Sequence, residues 1–279
     1  QEFMPGTRVS AYDNVPEVRE RARERALAHI VCETAQEAVS DADLVLFCVP
    51  VGMMQAAARD IASTISPDAL VSDVGSSKQT VTRDLRAALP DNVIIPAHPV
   101  AGTENSGPDA GFAHLFRHRW CILTPPVGTP AAPLAGLTGF WEAIGARVEI
   151  MDAAHHDRVL AVTSHIPHLI AYTIVGTASD LEEVTRSEVI KYSAGGFRDF
   201  TRIAASDPTM WRDVFLNNSE AVMEMLDQFL TDLAHMREAI RAGDGDSLYD
   251  LFTRTRAIRR GIIEMGQDDA RPDFGRKDH

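Results

Sequence analysis

The most informative stretch of this sequence is VSDVGSSK at residues 71–78, followed by AHPVAGTENSG at residues 97–107. Each motif comes at the end of an apolar, strand-like run and presents one polar side chain there, Ser76 or His98. In open α/β sheets, ligands bind at the carboxyl ends of the strands. The two motifs therefore predict a functional site at one edge of a sheet.

A serine hydroxyl and a histidine imidazole at neighbouring strand ends suit proton transfer. The imidazole titrates near neutral pH and can take a proton from a substrate alcohol, while the hydroxyl holds the alcohol oxygen. A structural interpretation stays open for each residue. Ser76 would cap the helix that begins near Gln79, and His98 would be a loop residue held rigid by Pro99.

Apolar runs alternate with amphipathic helical stretches up to about residue 151. The predicted strands are residues 8–12, 44–49, 69–74, 93–97, 120–123 and 148–151, and the predicted helices include 17–28, 53–65 and 79–89. This order predicts an α/β fold with a parallel, doubly wound, Rossmann-like sheet. Only helical patterns follow His155, so we expect domains at residues 1–152 and 153–266 and a polar tail at 267–279.

The composition narrows the class of protein. The chain has 279 residues, 45% of them hydrophobic, which is enough for two cores. A formal net charge of −13 would repel a nucleic-acid backbone, so we expect no such partner. Three cysteines, no signal-peptide pattern and no uninterrupted apolar run near the roughly 18 residues of a membrane span indicate a cytoplasmic protein without a membrane partner.

The beginning of the sequence lacks the glycine-rich GxGxxG turn that opens a dinucleotide-binding fold. Residues 8–12 instead resemble the second strand of such a unit, followed by Asp13 where an acid accepts the ribose 2′-OH. We therefore expect the first strand, turn and helix, about thirty residues, to have been cut off or left out before Gln1.

Asp13 and the end of the next predicted strand form a candidate cofactor site. A carboxylate at Asp13 would repel a 2′-phosphate, so it favours NAD over NADP, and the alternative is a turn residue before a helix starting at Pro16. Val49 and Pro50 would form the strand end over which the cofactor lies.

The stretch HHDRVLAVTSHIPHLI at residues 155–170 places His165 and His168 three residues apart, on one side of a helix. These histidines, or the triplet HHD at residues 155–157, have a spacing that suits metal binding. Since no cysteine or carboxylate cluster completes a ligand set, we expect no metal. His168 binding an anionic or keto substrate is the favoured functional interpretation.

The stretch SAGGFRDFTRIAASDPTMWRD at residues 193–213 contains two arginines that suit a carboxylate ligand. Arg198 has a neighbouring acid, Asp199, as a structural partner. Arg202 has apolar neighbours, so we expect it to be partly buried and to hold a carboxylic acid.

A helical seam with alternating four- and three-residue spacing follows, and it needs another helix to cover it. A second stretch could cover it within the chain, or the same helices of a second subunit could. The seam is formed by Val222, Leu226, Phe229, Leu233, Met236 and Ile240, and the second stretch by Leu248, Leu251, Phe252, Thr255, Ile258 and Ile262.

From about residue 8 to residue 265, the chain resembles the prephenate and arogenate dehydrogenases of tyrosine biosynthesis. The resemblance is carried by four motifs in order, DVGSSK, HPVAGTENSG, TSHIPH and GGFRDFTRIAASDPTMW. It implies that a nicotinamide cofactor, NAD, takes hydride from the ring carbon that bears the hydroxyl, while a ring carboxylate leaves as CO2. It also implies a homodimer whose helical domains interlock, which favours an intersubunit role for the seam.

The resemblance assigns roles to the residues of these motifs. His98 is implied as the catalytic histidine that accepts the hydroxyl proton, and Ser76 as the serine that positions this hydroxyl beside the nicotinamide. Arg202 is implied to pair with a substrate carboxylate and His168 to lie near the substrate side chain. Thr103, Glu104 and Asp157 are implied to belong to the substrate pocket, the two acids also to its access.

Two other functions stay open. A β-hydroxyacid dehydrogenase also joins a nucleotide-binding sheet to a helical domain, and its catalytic lysine would have to be Lys191. A catalytically silent ligand-binding or regulatory protein of the same fold would keep the pocket without the cofactor site. The sequence does not separate prephenate from arogenate, because they differ only in a keto or amino group.

Overall fold

The computed structural model describes residues 4–101, 107–180 and 195–264. In its first part short strands alternate with helices. The strands are β1 (Ser10–Ala11), β2 (Ile30–Val31), β3 (Leu44–Phe47), β4 (Leu70–Asp73), β5 (Val93–Ile94), β6 (Ala97–Pro99), β7 (Trp120–Leu123) and β8 (Arg147–Ile150). The helices are α1 (Pro16–Glu24), α2 (Ala35–Val39), α3 (Met54–Ile61), α4 (Gln79–Ala88) and α5 (Ala131–Ala143), and a 3₁₀ turn (Val51–Met53) precedes α3.

Most of the strand pairing is parallel, as predicted for a Rossmann-like fold. Strand β1 pairs with β2, β4 lies between β3 and β5, and β8 pairs with β7, all in parallel. The expectation of a wholly parallel sheet is wrong for β6, which is antiparallel to β7. The described part of the β6–β7 connection, residues 107–119, contains no helix, and a parallel pair needs a crossover of a dozen or more residues, usually helical.

The predicted strand at residues 93–97 is divided in two. Strand β5 ends at Ile94, and Pro96, which has no N–H to donate to a ladder, stands just before β6. His98 consequently lies inside β6, opposite Ile122 of β7. The alternative interpretation of His98 as a loop residue is therefore wrong.

Two buried clusters form the core of this part. The first packs β3 and β4 against α3 and α4, whose apolar residues recur every three or four positions, as at Val81 and Leu85. The second packs β6 and β7 against α5 through Leu137 and Trp141. Helix α5 was not predicted, because Pro133, Gly136 and Gly139 interrupt its helical pattern and tertiary packing overrides that weak signal.

The second part of the chain is helical, as predicted. Its elements are α6 (Ala153–Leu160), a π turn (Ala161–His165), α7 (Ile166–Asp180), α8 (Gly195–Thr201), a 3₁₀ turn (Arg202–Ala205), α9 (Pro208–Asn217), α10 (Ser219–Ala242) and α11 (Gly245–Glu264). The start of α6 is capped by Asp152, whose carboxylate accepts hydrogen bonds from the N–H groups of Ala154 and His155. Asp207 caps α9 in the same way, directly before Pro208.

One helical stretch, Ala153–Asp180, is long and apolar enough to cross a membrane by length and composition alone. The sequence criterion of an uninterrupted apolar run does not detect it, because histidines, serines and threonines interrupt the run. Such a helix is weak evidence for a membrane span, since core helices of soluble proteins pass the same test. It also contains the buried polar residues His156, Asp157 and His165.

The chain packs as two compact units, one ending at Met225 and the other beginning at Leu226. The first unit contains every described strand and helices α1 to α9, and hence all the described candidate site residues. The second contains most of α10 and all of α11. The domain boundary expected at residues 152–153 stays a prediction.

Candidate active site

The loops that follow β3 and β4 lie against each other at the carboxyl edge of the sheet. A Cβ atom added to Gly75 would lie 3.0 Å from Cγ2 of Val51, closer than most Cβ contacts, so glycine suits this close approach. Val49 and Ser76 are half-buried in these loops and Pro50 is exposed. The structure thus brings together the two strand ends that the sequence assigned to a cofactor and to the catalytic serine.

Helix α9 also reaches the loop after β3. A Cβ atom on Gly52 would lie 2.9 Å from Oδ2 of Asp213, a buried residue of α9. The loop that includes Pro50 is therefore in direct contact with an element of the helical part of the chain.

A buried ion pair fixes the segment that carries Ser76 to the segment that carries His98. The Asp73 carboxylate accepts hydrogen bonds from Nζ of Lys78 and from the N–H groups of Gly75 and Ala97. Nζ of Lys78 also donates to the carbonyl oxygen of Ala97 at 2.6 Å. Burial raises the pKa of Asp73 and lowers that of Lys78, and the attraction between the two charges opposes both changes.

His98 belongs to a buried chain of three side chains. Its Nδ1 atom lies 2.8 Å from Nε2 of His156, and Nδ1 of His156 lies 2.8 Å from Oδ1 of Asp157. Burial lowers the pKa of His98 well below its ordinary value, and the nearby His156, Lys78 and His165 act in the same direction. His98 is therefore a neutral imidazole near pH 7, the form that can accept a proton.

The Asp157 carboxylate joins α6 to the start of α4. It accepts hydrogen bonds from the N–H groups of Lys78 at 2.8 Å and Gln79 at 3.0 Å. Asp157, and not Ser76, thus bonds these two N–H groups at the start of α4. Its side chain is 1% exposed, so the implied role in access to the pocket does not fit its position behind His156.

The charge state of this chain of side chains follows from its hydrogen bonds. Burial opposes ionisation of Asp157, but the bonds from His156 and the two backbone N–H groups outweigh it and lower its pKa. Burial lowers the pKa of His156, although Asp157 acts against that change. Asp157 is consequently an anion beside two neutral imidazoles at pH 7.

His165 and His168 flank Trp211 on α9. The His168 ring stacks on the indole with ring centroids 3.6 Å apart, and its Nδ1 lies 2.8 Å from the carbonyl oxygen of Ser164. His165 is fully buried, with Nδ1 3.1 Å from Nδ2 of Asn218. The aromatic face of Trp211 thereby fixes the orientation of the histidine that was assigned to the substrate side chain.

Arg202 is exposed in this single chain, which corrects the expectation that it is partly buried. It lies in a one-turn 3₁₀ helix, which is too short to shield a long side chain even with apolar neighbours. Its charge nevertheless acts on His168, whose pKa is lowered first by burial and also by Arg202. Arg202 and His168, the two residues assigned to the substrate, are therefore close enough to interact electrostatically.

Asp13 lies two residues beyond the end of β1 and is half-buried. Its Oδ1 atom accepts a hydrogen bond from the N–H of Val15 at 2.8 Å, and its carbonyl oxygen accepts one from Nη1 of Arg19. This is the geometry that the turn interpretation requires. Ribose binding by Asp13 stays a prediction.

Three predicted residues, Thr103, Glu104 and Lys191, lie outside the described residues. Within the described ranges no group of three His, Cys, Asp or Glu side chains is placed to hold a metal ion.

Sequence reasoning did not assign a functional role to Asp73, Lys78, His156, Asn218 or Trp211. The sequence did contain a signal for His156, an HD pair one turn after the helix-capping Asp152, but its partner is separated from it by 58 residues. Only the tertiary structure joins them.

Comparison with known proteins identifies the family of the chain. The family model of the prephenate dehydrogenase nucleotide-binding domain matches residues 1–150, and that of the prephenate dehydrogenase dimerization domain matches residues 152–254. The cyclohexadienyl dehydrogenase of Zymomonas mobilis is 46% identical over 93% of this chain and 89% of its own length. The prephenate dehydrogenase of Bacillus subtilis is 30% identical over 97% of this chain and 73% of its own length.

A solved structure is similar over nearly the whole chain. It is the prephenate dehydrogenase from A. aeolicus in complex with hydroxyphenyl propionate and NAD+, with a TM-score of 0.87 and 32% identity over 94% of this chain and 91% of that one.

Proposed function

Because this chain belongs to the prephenate dehydrogenase family, we propose that it catalyses the NAD-dependent oxidative decarboxylation of prephenate to 4-hydroxyphenylpyruvate, of arogenate to tyrosine, or of both. The observation that carries the proposal is the buried, neutral imidazole of His98 at the sheet edge, bonded to His156 through Nδ1. This leaves Nε2 of His98 as the ring atom for a substrate.

The residues of the chain would transfer one proton during the reaction. His98 accepts the proton of the ring hydroxyl as the C–H bond of the same carbon breaks, and Ser76 holds the hydroxyl oxygen. NAD, when bound, accepts the hydride. The bond to the ring carboxylate then breaks, CO2 leaves and the ring becomes aromatic, so His98 can return its proton to the phenolate oxygen. The products and substrates balance without a net proton.

The residues at the sheet edge fit a dinucleotide. Asp13 follows a parallel strand, where an acid can bond a ribose 2′-OH, and its negative charge favours NAD over NADP. Gly75 supports a close approach of the two loops, because a Cβ atom there would lie only 3.0 Å from Val51 and from Asp73. Val49 and Pro50 would lie along the cofactor, and Arg202 and His168 would bind the substrate carboxylate and side chain, together with Thr103 and Glu104 of the implied pocket.

The experiment measures the absorbance of NADH after the protein is mixed with NAD and either prephenate or arogenate. An increase in NADH absorbance with one substrate or with both would also establish which substrate side chain, keto or amino, the enzyme prefers. His98→Asn should lower kcat by roughly two to four powers of ten without changing cofactor affinity. If the native protein forms no NADH with either substrate, the proposal is wrong. Near-normal turnover of His98→Asn would show that His98 is not the base.

We also propose a homodimer formed through the helical domain. Within the single chain the seam on α10 is left uncovered at Leu233, which is 43% exposed, and at Ile240, which is 65% exposed. Phe252 and Ile258 of α11 are also more than half exposed. Light scattering should give twice the chain mass, and Leu233→Glu with Ile240→Glu should give a monomer. A native monomer would exclude the dimer.

A cytoplasmic location is part of the proposal. It is supported by three free thiols, at Cys32, Cys48 and Cys121, which suit a reducing compartment.

A further inference from the structure

We propose that His156 and Asp157 are positioning residues that hold His98 in one tautomer, with the proton on Nδ1 and a lone pair on Nε2 toward the substrate. The inference rests on the proposed function, since it explains how the base of that reaction is prepared. It is argued from two consecutive hydrogen bonds, beginning at the buried carboxylate.

The first bond fixes the proton of His156. The Asp157 carboxylate accepts hydrogen bonds from the backbone N–H groups of Lys78 and Gln79. A backbone N–H can only donate. These bonds keep the carboxylate ionised, and an ionised carboxylate only accepts. Nδ1 of His156, at 2.8 Å from Oδ1, must therefore donate.

The second bond fixes the proton of His98. A neutral His156 with its proton on Nδ1 has a lone pair on Nε2. Nδ1 of His98 lies 2.8 Å from that atom, so it must donate, because two lone pairs at this distance would repel. Nδ1–H is thus the tautomer of His98 that the buried chain selects.

The remaining ring atom of His98 is consequently an acceptor. A lone pair on Nε2 is what a general base requires, whereas the other tautomer would present an N–H to the substrate hydroxyl. Once His98 has accepted a proton, it carries a positive charge, and the Asp157 anion favours it through His156. The neighbouring Lys78 and His165 do not supply that compensation, since both lower the pKa of His98.

The alternative is that the HD pair only supports packing, because Asp157 also bonds the start of α4. Substitutions at His156 separate the two roles, as they leave Asp157 and its two backbone bonds in place. In His156→Gln the amide oxygen can still accept from His98, while His156→Leu has similar bulk and no acceptor. His155, exposed on the same helix, offers a matched control as His155→Gln.

Kinetics and nuclear magnetic resonance test the inference together. We expect His156→Leu to lower kcat about a hundredfold with unchanged KM for NAD, and His156→Gln to recover at least tenfold of that loss. His155→Gln should match the native enzyme. In ¹⁵N-labelled native protein near pH 8, the ring signals assigned through His98→Asn should show a protonated Nδ1 and an unprotonated Nε2, and His156→Leu should reverse them.

Each outcome decides for or against the tautomer. A native His98 with its proton on Nε2 would overturn the inference, as would equal kcat for the Leu and Gln variants. If His156→Leu does not fold, the native spectrum and His156→Gln still decide. Failure of the proposed function is a separate result, because a native protein that reduces no NAD can still show the Nδ1–H tautomer in its spectrum.

Discussion

The ammonium group of Lys78 and the carboxylate of Asp73 lie 2.5 Å apart, and neither side chain is exposed to solvent. The pair stands between β4 and β6 and also bonds the backbone at Gly75 and Ala97. Both charges have lost their hydration, so the pair is stable only while both partners are present. The loop with Ser76 and the strand with His98 depend on it for their relative position.

Removal of one partner should destabilise the protein strongly. We expect Lys78→Met to lower the free energy of unfolding by about 3–5 kcal/mol, because it leaves the buried Asp73 carboxylate without its counter-charge. Urea unfolding measures the change. Arg83→Ala is the control, since Arg83 is 71% exposed and pairs with Asp84 at the surface, where a salt bridge is worth about 0–1 kcal/mol. Equal effects of the two substitutions would contradict the importance of the buried pair.

The buried His165 should make stability depend on pH. Burial lowers its pKa from 6.5 to about 4, so between about pH 4 and pH 6.5 the unfolded chain binds a proton that the folded protein does not. Stability is therefore lost as the pH falls, by about 2 kcal/mol at pH 5 from this residue alone. His98, His156 and His168 act in the same direction.

The measurement is urea unfolding at pH 7.5 and pH 5 for the native protein and for His165→Gln. The variant lacks this titration, so its two free energies should differ by about 2 kcal/mol less than those of the native protein. His235→Gln, at an exposed position on α10, is the matched control for the loss of a histidine. The prediction fails if the two variants behave alike.

Arg202 should act on substrate binding. We expect Arg202→Gln to raise the substrate KM by roughly ten- to a hundredfold, with a small effect on kcat, because a bidentate pair with a carboxylate is lost. Steady-state kinetics at saturating NAD provide the test. Arg237→Gln removes an equally charged and exposed side chain on α10 and should have no effect. An unchanged KM in Arg202→Gln would mean that the acid is held elsewhere.

Gly52 should not tolerate a side chain. In Gly52→Ala the new methyl group meets the Asp213 carboxylate, so we expect a loss of about 1–2 kcal/mol in the free energy of unfolding and weaker NAD binding. When Asp213→Ala is added to the Gly52→Ala variant, part of the stability and part of the NAD affinity should be restored, because the colliding atoms are removed. Gly139→Ala on α5, where a Cβ atom meets nothing within 4 Å, should instead stabilise by about 0.5–1 kcal/mol. Additive effects of Gly52→Ala and Asp213→Ala would show that the two residues do not interact.

Local patterns were sufficient for the fold class and for the positions of most strands along the chain. The apolar run at β4 and the three-to-four spacing of Val81 and Leu85 on α4 depend on neighbours in sequence, so they could be predicted. The antiparallel β6 could not, because strand direction depends on how the chain returns to the sheet. Helix α5 was missed since its glycines and proline are offset by packing of Trp141.

For the site, the motifs alone were enough to identify the residue types: Ser76 and His98 at the sheet edge, and His168 and Arg202 in the helical part. Which of these residues meet depends on how the chain folds. It placed His156 and Asp157 behind His98, Lys78 on Asp73 and Trp211 on His168. The physical reason is that hydrogen bonds, ion pairs and ring stacking act over a few ångströms, while these partners are separated in sequence by 5 to 58 residues except for the adjacent His156 and Asp157.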